Sequence, residues 1–163
     1  MNRSQPHQPQ RRNQIILLGA GLLLVTALAG CASNEPQSQA AFDPATNTFA
    51  PCPDSPNCVS TQATDAEHGI APIAFSGDSA ATTARLVEIV NSLPRSTIVA
   101  TTDNYLHAEF RSRIFRFVDD VEFFVDADSG TIQFRSASRT GYSDLGVNRK
   151  RMEEIRQLFN AGG

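Results

Sequence analysis

The spacing of apolar residues predicts one helix near the middle of the chain and a second helix at its end. In residues 79–93 the apolar positions recur every three or four residues, Asp78 can cap the first turn, and Pro94 ends the pattern. In residues 147–160 the apolar positions fall on one side of a helix. The two apolar faces consist of Leu86, Val87, Val90 and Leu93, and of Met152, Ile155, Leu158 and Phe159.

Four segments between these helices have the alternation and the β-branched and aromatic content of strands. Short turns, such as Asp128-Ser129-Gly130, separate the segments, which are residues 97–102, 105–118, 121–126 and 131–138. Asp103-Asn104, between the first two segments, suits a tight hairpin turn. Because connections this short join antiparallel neighbours, we expect a four-stranded antiparallel sheet.

Alternation along the second strand divides its side chains between an apolar face and a polar face. The apolar face holds Leu106, Ala108 and Phe110, and the polar face holds His107, Glu109, Arg111 and Arg113. The most economical packing is a single α+β domain of order α-β-β-β-β-α, in which both helices cover the apolar face of the sheet. The polar face would then meet solvent or a ligand.

The amino-terminal thirty residues have the pattern of a bacterial export signal. Arg11 and Arg12 precede an apolar run over residues 15–28, which is shorter than the roughly 20 residues that span a bilayer. The run ends in Leu-Ala-Gly-Cys, which resembles the lipobox at which prolipoproteins are lipidated and cut. We therefore predict a lipoprotein signal peptide over residues 1–30 and lipidation of Cys31. An uncleaved membrane-spanning helix is the alternative.

The residues just after Cys31 predict the location of the mature protein. Ala32 and Ser33 stand where an inner-membrane retention signal would place Asp. The predicted location is therefore the periplasmic face of the bacterial outer membrane, with the membrane as a partner through the lipid anchor.

A change of composition predicts the start of the folded domain. Ser, Asn, Gln, Pro, Ala and Thr dominate the stretch up to about residue 51, in which Phe42 and Phe49 are the only large apolar residues. Residues 31–50 are therefore predicted to be the lipidated cysteine and a flexible tether, and residues 51–160 the folded domain.

Length and charge narrow the class of protein further. The 163 residues suffice for one domain, and the composition is that of an ordinary globular protein. Fourteen Lys and Arg residues against 17 Asp and Glu residues give a formal net charge of -3. Because duplex nucleic acid requires a basic surplus on one face, we expect no nucleic-acid partner.

Cys52 and Cys58 would be the only thiols left once Cys31 is lipidated. An even pair in an oxidising compartment predicts a disulfide that closes a small loop at the start of the domain. A metal site or a redox-active pair is the alternative, but two thiolates are too few for zinc and the spacing is not Cys-x-x-Cys. Since His68 and His107 are the only histidines after the predicted signal, we expect no metal and no cofactor.

Arginine is dense in the later strands and in the approach to the last helix. Only Lys150 among the 14 basic residues is lysine, which favours the bidentate chemistry of guanidinium with carboxylates or a bound anion. The alternation directs Arg111, Arg113 and Arg135 to one face of the sheet. We predict a site for a small anionic ligand or an envelope protein, formed by Arg111, Arg113, Arg135, Ser138, Arg139, Ser143, Asp144, Asn148 and Arg149.

Two simpler accounts of the same residues remain open. The arginines could form structural salt bridges with the local acids, which are Glu109, Asp119, Asp120, Glu122 and Asp144. Ordinary capping of the last helix explains Asp144 and Asn148 without a ligand.

A hydrolytic enzyme is an interpretation from another class. His107 or Asp144 would act as the base for Ser138 or Ser143, and Glu109 could orient the histidine. No nucleophile-elbow motif accompanies these residues, so a role without catalysis is favoured.

Three separated motifs resemble the domain-of-unknown-function family 1499 (DUF1499). They are CPDSPNCVS at residues 52–60, FVDDVE at residues 117–122 and RSASRTGYSDLGVNR at residues 135–149. The resemblance covers about residues 51–159. It implies a compact domain of the kind found on exported or lipid-anchored bacterial proteins, and it implies no particular activity.

The patterns and the resemblance together favour a lipid-anchored periplasmic module that binds or scaffolds and needs no cofactor. The arginine-rich polar site would take its anionic partner. The alternatives are the hydrolase described above and a purely structural envelope protein whose arginines and acids pair with one another.

Overall fold

A computed structural model describes residues 40–162 of the chain. The predicted signal peptide, the predicted lipidation site at Cys31 and the first part of the predicted tether lie outside the described residues. The described elements are β1 (Phe42–Asp43), β2 (Thr48–Phe49), β3 (Cys58–Ser60), β4 (Ile73–Ala74), α1 (Ser79–Ser92), β5 (Ser96–Thr101), β6 (Tyr105–Arg111), β7 (Val118–Asp126), β8 (Thr131–Ser138) and α2 (Val147–Ala161). Within residues 40–162, neither helix combines the length and the apolar character that crossing a bilayer requires.

The main sheet is built around the four strands that the sequence predicts. Its order is β3-β8-β7-β6-β5, β4 also pairs with β8, and every strand pair is antiparallel. β8 has the predicted bounds, α1 and α2 deviate from the prediction by one residue at one end, and β5 begins and ends one residue early. β7 begins three residues before the predicted start at residue 121. The α+β class, with two helices and an antiparallel sheet, is confirmed.

The prediction of four strands in the order α-β-β-β-β-α is wrong. The sheet has six strands because β3 and β4 extend it beyond β8, and β1 and β2 pair as a separate hairpin. Each of these four strands has only two or three residues, too few to establish a period of two in the sequence.

The second predicted strand is also too long. β6 ends at Arg111, and residues 112–117 form a loop that Ser112 N closes by donating to Phe117 O at 2.8 Å. The loop contains Ile114, Phe115 and Phe117, residues typical of strands, and these account for the longer prediction.

Both helices cover the apolar face of the sheet, as predicted. Asp78 caps α1 by accepting a hydrogen bond from Ala81 N at 2.9 Å. One core contains the completely buried side chains of Leu86, Val90, Met152 and Ile155 from the helices and of Phe123 and Phe134 from β7 and β8. Each such side chain contributes roughly 1.5–3 kcal/mol through its burial. The prediction that Leu158 belongs to the buried face of α2 is wrong. Phe159 takes the buried position on that turn, and Leu158 is 41% exposed.

The polar face of the sheet is covered where solvent was expected. The ring of Phe42, in β1, stacks on Tyr105 and Phe124 with centroid distances of 5.0 Å. Ala41 N and Phe42 N both donate to the carboxylate of Glu122, which is completely buried. Residues 40–50 therefore form a packed hairpin, and the described part of the predicted tether is part of the fold.

The predicted disulfide is present and fastens the entry into β3. Cys52 and Cys58 are bonded, with their Cα atoms 5.7 Å apart. Cys58 is the first residue of β3 and pairs with Ala137 of β8. The bond therefore ties the loop before β3 to the edge of the sheet.

Replacing both cysteines (Cys52→Ala with Cys58→Ala) is expected to lower the free energy of unfolding by about 2 kcal/mol, because the unfolded chain regains the freedom that the closed loop removes. Urea denaturation of the full chain, with and without reductant, measures this difference. Reductant should weaken the wild type by a similar amount and leave the variant unchanged. Equal stability in all four samples would contradict a stabilising role.

Candidate functional site

The central strand β7 carries three acidic side chains into the interior. Asp119, Asp120 and Glu122 are all at most 6% exposed. Alternation directs Asp119 to the side of the helices and the other two to the opposite face. Because a buried carboxylate is costly unless it is paired, each of the three requires partners.

Asp120 is paired by two side chains on its face of the sheet. Arg139, the residue after β8, donates through Nε to Asp120 Oδ2 at 2.7 Å and through Nη2 to Oδ1 at 2.8 Å. His107 Nε2 lies 2.8 Å from the same Oδ1 and donates to it. Arg139 also donates to Glu109, whose other oxygen accepts from Arg111 at 3.2 Å. These five residues form one connected network across β6, β7 and β8.

The network favours the charged forms of Asp120 and Arg139. Burial raises the pKa of Asp120, but hydrogen bonds from Arg139 and His107 lower it by more, so the pKa falls below its ordinary value of 3.8. The hydrogen bonds to Asp120 also raise the pKa of Arg139 above that of a free guanidinium. A buried, bidentate pair of this kind is strong evidence of a structural role and leaves Arg139 little capacity for a ligand.

Glu122 lies further along the same face and is satisfied by other groups. Tyr105 Oη donates to its Oε1 at 2.5 Å, beside the two backbone amides of the hairpin. Burial and the contact with Glu122 raise the pKa of Tyr105, so this phenol stays protonated. Arg135 stands opposite Glu122 in the strand register, yet its buried Nε has no hydrogen-bond partner. Burial lowers the pKa of Arg135.

A second network lies on the helix side of the sheet and centres on Asp119 and Asn148. Asp119 accepts from Ser138 Oγ at 2.6 Å and from Arg151 Nη2 at 2.6 Å. The buried amide of Asn148 accepts from Ser136 Oγ at 2.5 Å and donates to Ser138 Oγ at 3.1 Å. The start of α2 is thereby fixed to β7 and β8.

Asp144 organises the loop that leads into α2. Its Oδ1 accepts from Gly146 N at 2.9 Å, and its Oδ2 accepts from Asn148 N at 2.7 Å and from Asn148 Nδ2 at 2.8 Å. Ser143 Oγ accepts from Leu145 N at 3.2 Å. The N-cap residue of α2 is Gly146, so neither Asp144 nor Asn148 is the cap itself. Asp144, two residues before the cap, nevertheless accepts from an amide of the first turn, which accounts for it without a ligand.

The predicted site residues are therefore only partly brought together. Ser138, Asp144 and Asn148 share the helix-side network, whereas Arg139 belongs to the network on the opposite face. Arg149 points elsewhere and donates to the carbonyl oxygens of residues 67 and 69. Arg111 and Arg113 line a surface cleft at the end of the sheet, and Ser143 stays in an exposed loop.

His107 and Ser138, one base and nucleophile pair of the hydrolytic interpretation, are separated by the sheet. The other base, Asp144, lies on the helix side with Ser138, and its carboxylate oxygens accept from Gly146 and Asn148. His107 shares the face of Asp120, to which it is bonded. Ser138 pairs in register with Asp119, on the helix side, and donates its proton to that carboxylate. The histidine and the serine thus lie on opposite faces, and the geometry assembles no base and nucleophile from them.

The surface cleft has a volume of about 360 Å³ and lies between the α1–β5 turn, the end of β6 and the first turns of α2. Five cationic side chains line it, against two acidic ones, Asp119 and Glu154. The five cations are Arg95, Arg111, Arg113, Lys150 and Arg151. We call this feature the cationic cleft.

The cations of the cleft differ in whether other residues of the domain already bind them through ion pairs or hydrogen bonds. Arg151 is paired with Asp119, and Arg95 Nε donates to Arg111 O at 3.1 Å. Arg113 and Lys150 are exposed, and no ion pair joins either of them to another side chain within residues 40–162. The two side chains therefore retain their full capacity for an anion.

Sequence patterns missed three of the five cleft cations. Arg95 follows the end of α1, and Lys150 and Arg151 lie on α2, so they belong to no alternation shared with Arg111 and Arg113. The one sequence indication was the basic run at residues 149–151. Within the described residues, no group of three or more His, Cys, Asp and Glu side chains could hold a metal ion.

The fold and these networks define an α+β domain with ionic pairs on both faces of its sheet. The chain belongs to the family described as protein of unknown function (DUF1499), whose model matches residues 48–159. The match confirms the resemblance that the three motifs indicate, and it begins inside the β1–β2 hairpin. A comparison with curated proteins finds no match to the chain.

The network around Asp120 predicts a pH-dependent stability. Asp120→Asn is expected to lower the free energy of unfolding by about 3 kcal/mol at pH 7, because it leaves Arg139 partly unpaired in the interior. Since the folded pKa is depressed, the carboxylate stabilises the fold above its unfolded pKa of about 3.8 and loses this effect as the pH falls through the folded pKa.

Urea denaturation from pH 7 to pH 2.5 checks this expectation. The difference between wild type and Asp120→Asn should shrink below about pH 4. Asp128→Asn, at an exposed turn, serves as the control and should stay close to the wild type. A difference that is constant over the whole pH range would contradict the assigned pairing.

Proposed function

We propose that this protein is a lipoprotein on the periplasmic face of the bacterial outer membrane and that its domain binds an anionic group in the cationic cleft. The apolar run and the lipobox-like sequence before Cys31 support the anchor. The bonded Cys52 and Cys58 support an oxidising compartment, because disulfides persist there and are rare in the cytosol.

The observation that carries the binding function is the excess of cations in one cleft of an acidic protein. The chain has a net charge of -3, yet the cleft presents five cations and two acids. Guanidinium groups favour flat, bidentate partners such as carboxylate and phosphate. Because Arg113 and Lys150 have no ion-pair partner within the described residues, they are the groups that a ligand would engage first.

Two other residues of the predicted arginine site, Arg139 and Asn148, contact groups that hold the walls of the cleft. Arg139 donates a hydrogen bond to Glu109, which also accepts one from Arg111 on one wall of the cleft. Asp119 and Asn148 hold Arg151 on the opposite wall. Both walls are thus fixed before a ligand arrives, which lowers the entropic cost of binding.

The anchor predicts a covalent modification at one residue. In a bacterial host, wild-type protein should be recovered without residues 1–30 and with acyl chains on Cys31, and Cys31→Ser should remain without lipid. Mass spectrometry of the purified proteins and partition into a detergent phase measure both properties. A wild-type product that retains residues 1–30, or carries an unmodified Cys31, would overturn the proposed anchor.

The binding function predicts a specific loss of affinity. Arg113→Ala with Lys150→Ala should weaken binding of inorganic phosphate at least tenfold, since a hydrogen bond to a charged group contributes about 1.5–3 kcal/mol and each 1.4 kcal/mol is tenfold. Titration of the full chain by calorimetry measures the dissociation constant.

A matched control separates the cleft from the general effect of net charge. Thr101→Glu with Ala127→Glu changes the net charge by the same amount at exposed positions of the opposite end of the sheet, and it should bind phosphate as the wild type does. Equal affinities for all three proteins, or no phosphate binding by the wild type, would reject the cleft as an anion site and favour a purely structural role.

A further inference from the structure

Large apolar side chains are exposed at one end of the domain. Six of the eight such side chains among the described residues lie in or beside two loops, residues 112–117 and residues 140–146. They are Ile114, Phe115, Phe117, Tyr142, Leu145 and Val147, with exposures between 46% and 85%. Both loops leave the same end of the sheet, because Arg139 N, just after β8, donates to Val118 O, at the start of β7.

The same end of the domain is basic. Residues 111–117 contain three arginines and no acid, and the first turns of α2 add Lys150 and Arg151. The turns at the opposite end of the sheet carry Asp103, Asp126 and Asp128 and no basic residue. We call the first of these surfaces, residues 111–117 with residues 140–151, the basic end.

The apolar side chains of the basic end are held outward by polar contacts within the loops. Phe117 N donates to Ser112 Oγ at 2.9 Å, and the rings of Phe115 and Phe117 stack with centroids 5.5 Å apart. In the second loop Leu145 is 85% exposed while Asp144 and Ser143 fix the backbone on either side of it. A large group of exposed apolar side chains bordered by polar residues is typical of an interaction site.

An apolar tip surrounded by cations matches the surface of an anionic phospholipid bilayer. Aromatic and aliphatic side chains enter the interfacial region, and arginine and lysine attract the phosphate headgroups beside them. A protein partner would have to offer apolar and acidic groups in the same alternation, whereas a bilayer offers acyl chains under phosphates at every point.

We propose that the basic end docks on a bilayer that contains anionic phospholipid and that the anionic group in the cationic cleft is a phospholipid headgroup. This inference rests on the proposed binding function, for which it names the ligand class. Arg113 belongs to both features, since it lines the cleft and lies in the loop that carries Ile114 and Phe115.

The proposed anchor is compatible with this contact. Nine residues separate Cys31 from Ala40, counting Ala40 itself, and a chain of that length reaches at most about 30 Å. A lipidated Cys31 would therefore keep the cleft close to the same bilayer, so that even a weak headgroup site is occupied through its high effective concentration.

A single tryptophan tests the contact without removing the anchor. The chain contains no Trp, so Phe115→Trp in the full chain gives one emitter at the basic end, and Ala127→Trp gives a matched emitter at the opposite end. Both proteins are reconstituted into vesicles of phosphatidylcholine with brominated acyl chains, with or without an equal amount of phosphatidylglycerol. In the anionic vesicles, Phe115→Trp should emit at shorter wavelength and be quenched at least twofold more than Ala127→Trp.

The cleft is tested in the same vesicles with Arg113→Ala and Lys150→Ala added to Phe115→Trp. Loss of the quenching to the level seen in vesicles without phosphatidylglycerol supports headgroup binding in the cleft. Quenching that persists unchanged in this variant overturns headgroup binding in the cleft. Equal quenching of Phe115→Trp and Ala127→Trp overturns the docking as a whole.

Phosphate titration distinguishes these failures from failure of the proposed function. If soluble phosphate binds in a manner that depends on Arg113 and Lys150 while Phe115→Trp is not quenched, the anion site stands and its source is a free phosphate rather than a lipid. If phosphate does not bind and Phe115→Trp is not quenched, both proposals fall.

Discussion

The ion pair between Asp120 and Arg139 is the constraint on which the arrangement of the sheet depends. Asp120 lies on a central strand with almost no exposure, and a carboxylate there is tolerated only when its charge is paired. Arg139 provides two of the hydrogen bonds and also reaches Glu109 on the next strand. A slip of one residue between β7 and β8 would turn Asp120 into the apolar core, so the pair selects one register of the three central strands.

This register also determines the path of the chain from the end of β8 into the loop before α2. With Arg139 fixed, the chain leaves β8 beside Val118 and enters the loop that Asp144 organises. Asn148 then joins the loop, β8 and Asn57 near the disulfide through its side-chain amide. The cationic cleft thus lies between a strand end and a helix start, each held by its own buried hydrogen bonds.

The sequence predicted those elements whose hydrophobic pattern repeats over many residues. α1, α2 and the four long strands repeat their patterns over six or more residues, and all six elements occur in the predicted order, although β6 ends and β7 begins earlier than the patterns predict. The hairpin of residues 40–50 could not be predicted in this way, because its two-residue strands are polar and only Phe42 and Phe49 distinguish them from a linker. The packing of Phe42 on Tyr105 is a tertiary contact that no local pattern encodes.

The candidate site was harder to predict, because residue type does not tell whether an arginine has a partner. Arg139 and Arg113 have the same chemistry in the sequence. The first extends from the end of a buried strand to two carboxylates, whereas the second lies just past the end of β6 and meets solvent. The equal number of acids nearby indicated that pairing would occur, and only the register decided which arginines it would include.

Most polar side chains of the motifs that identify the family form hydrogen bonds within the domain. Ser138, Arg139, Asp144 and Asn148 all bond to other parts of the fold. By contrast, three cations that line the cleft lie outside the motifs. They are Arg95, Arg113 and Lys150. Membership of the family therefore specifies the scaffold and not a ligand, because a fold does not by itself determine a function.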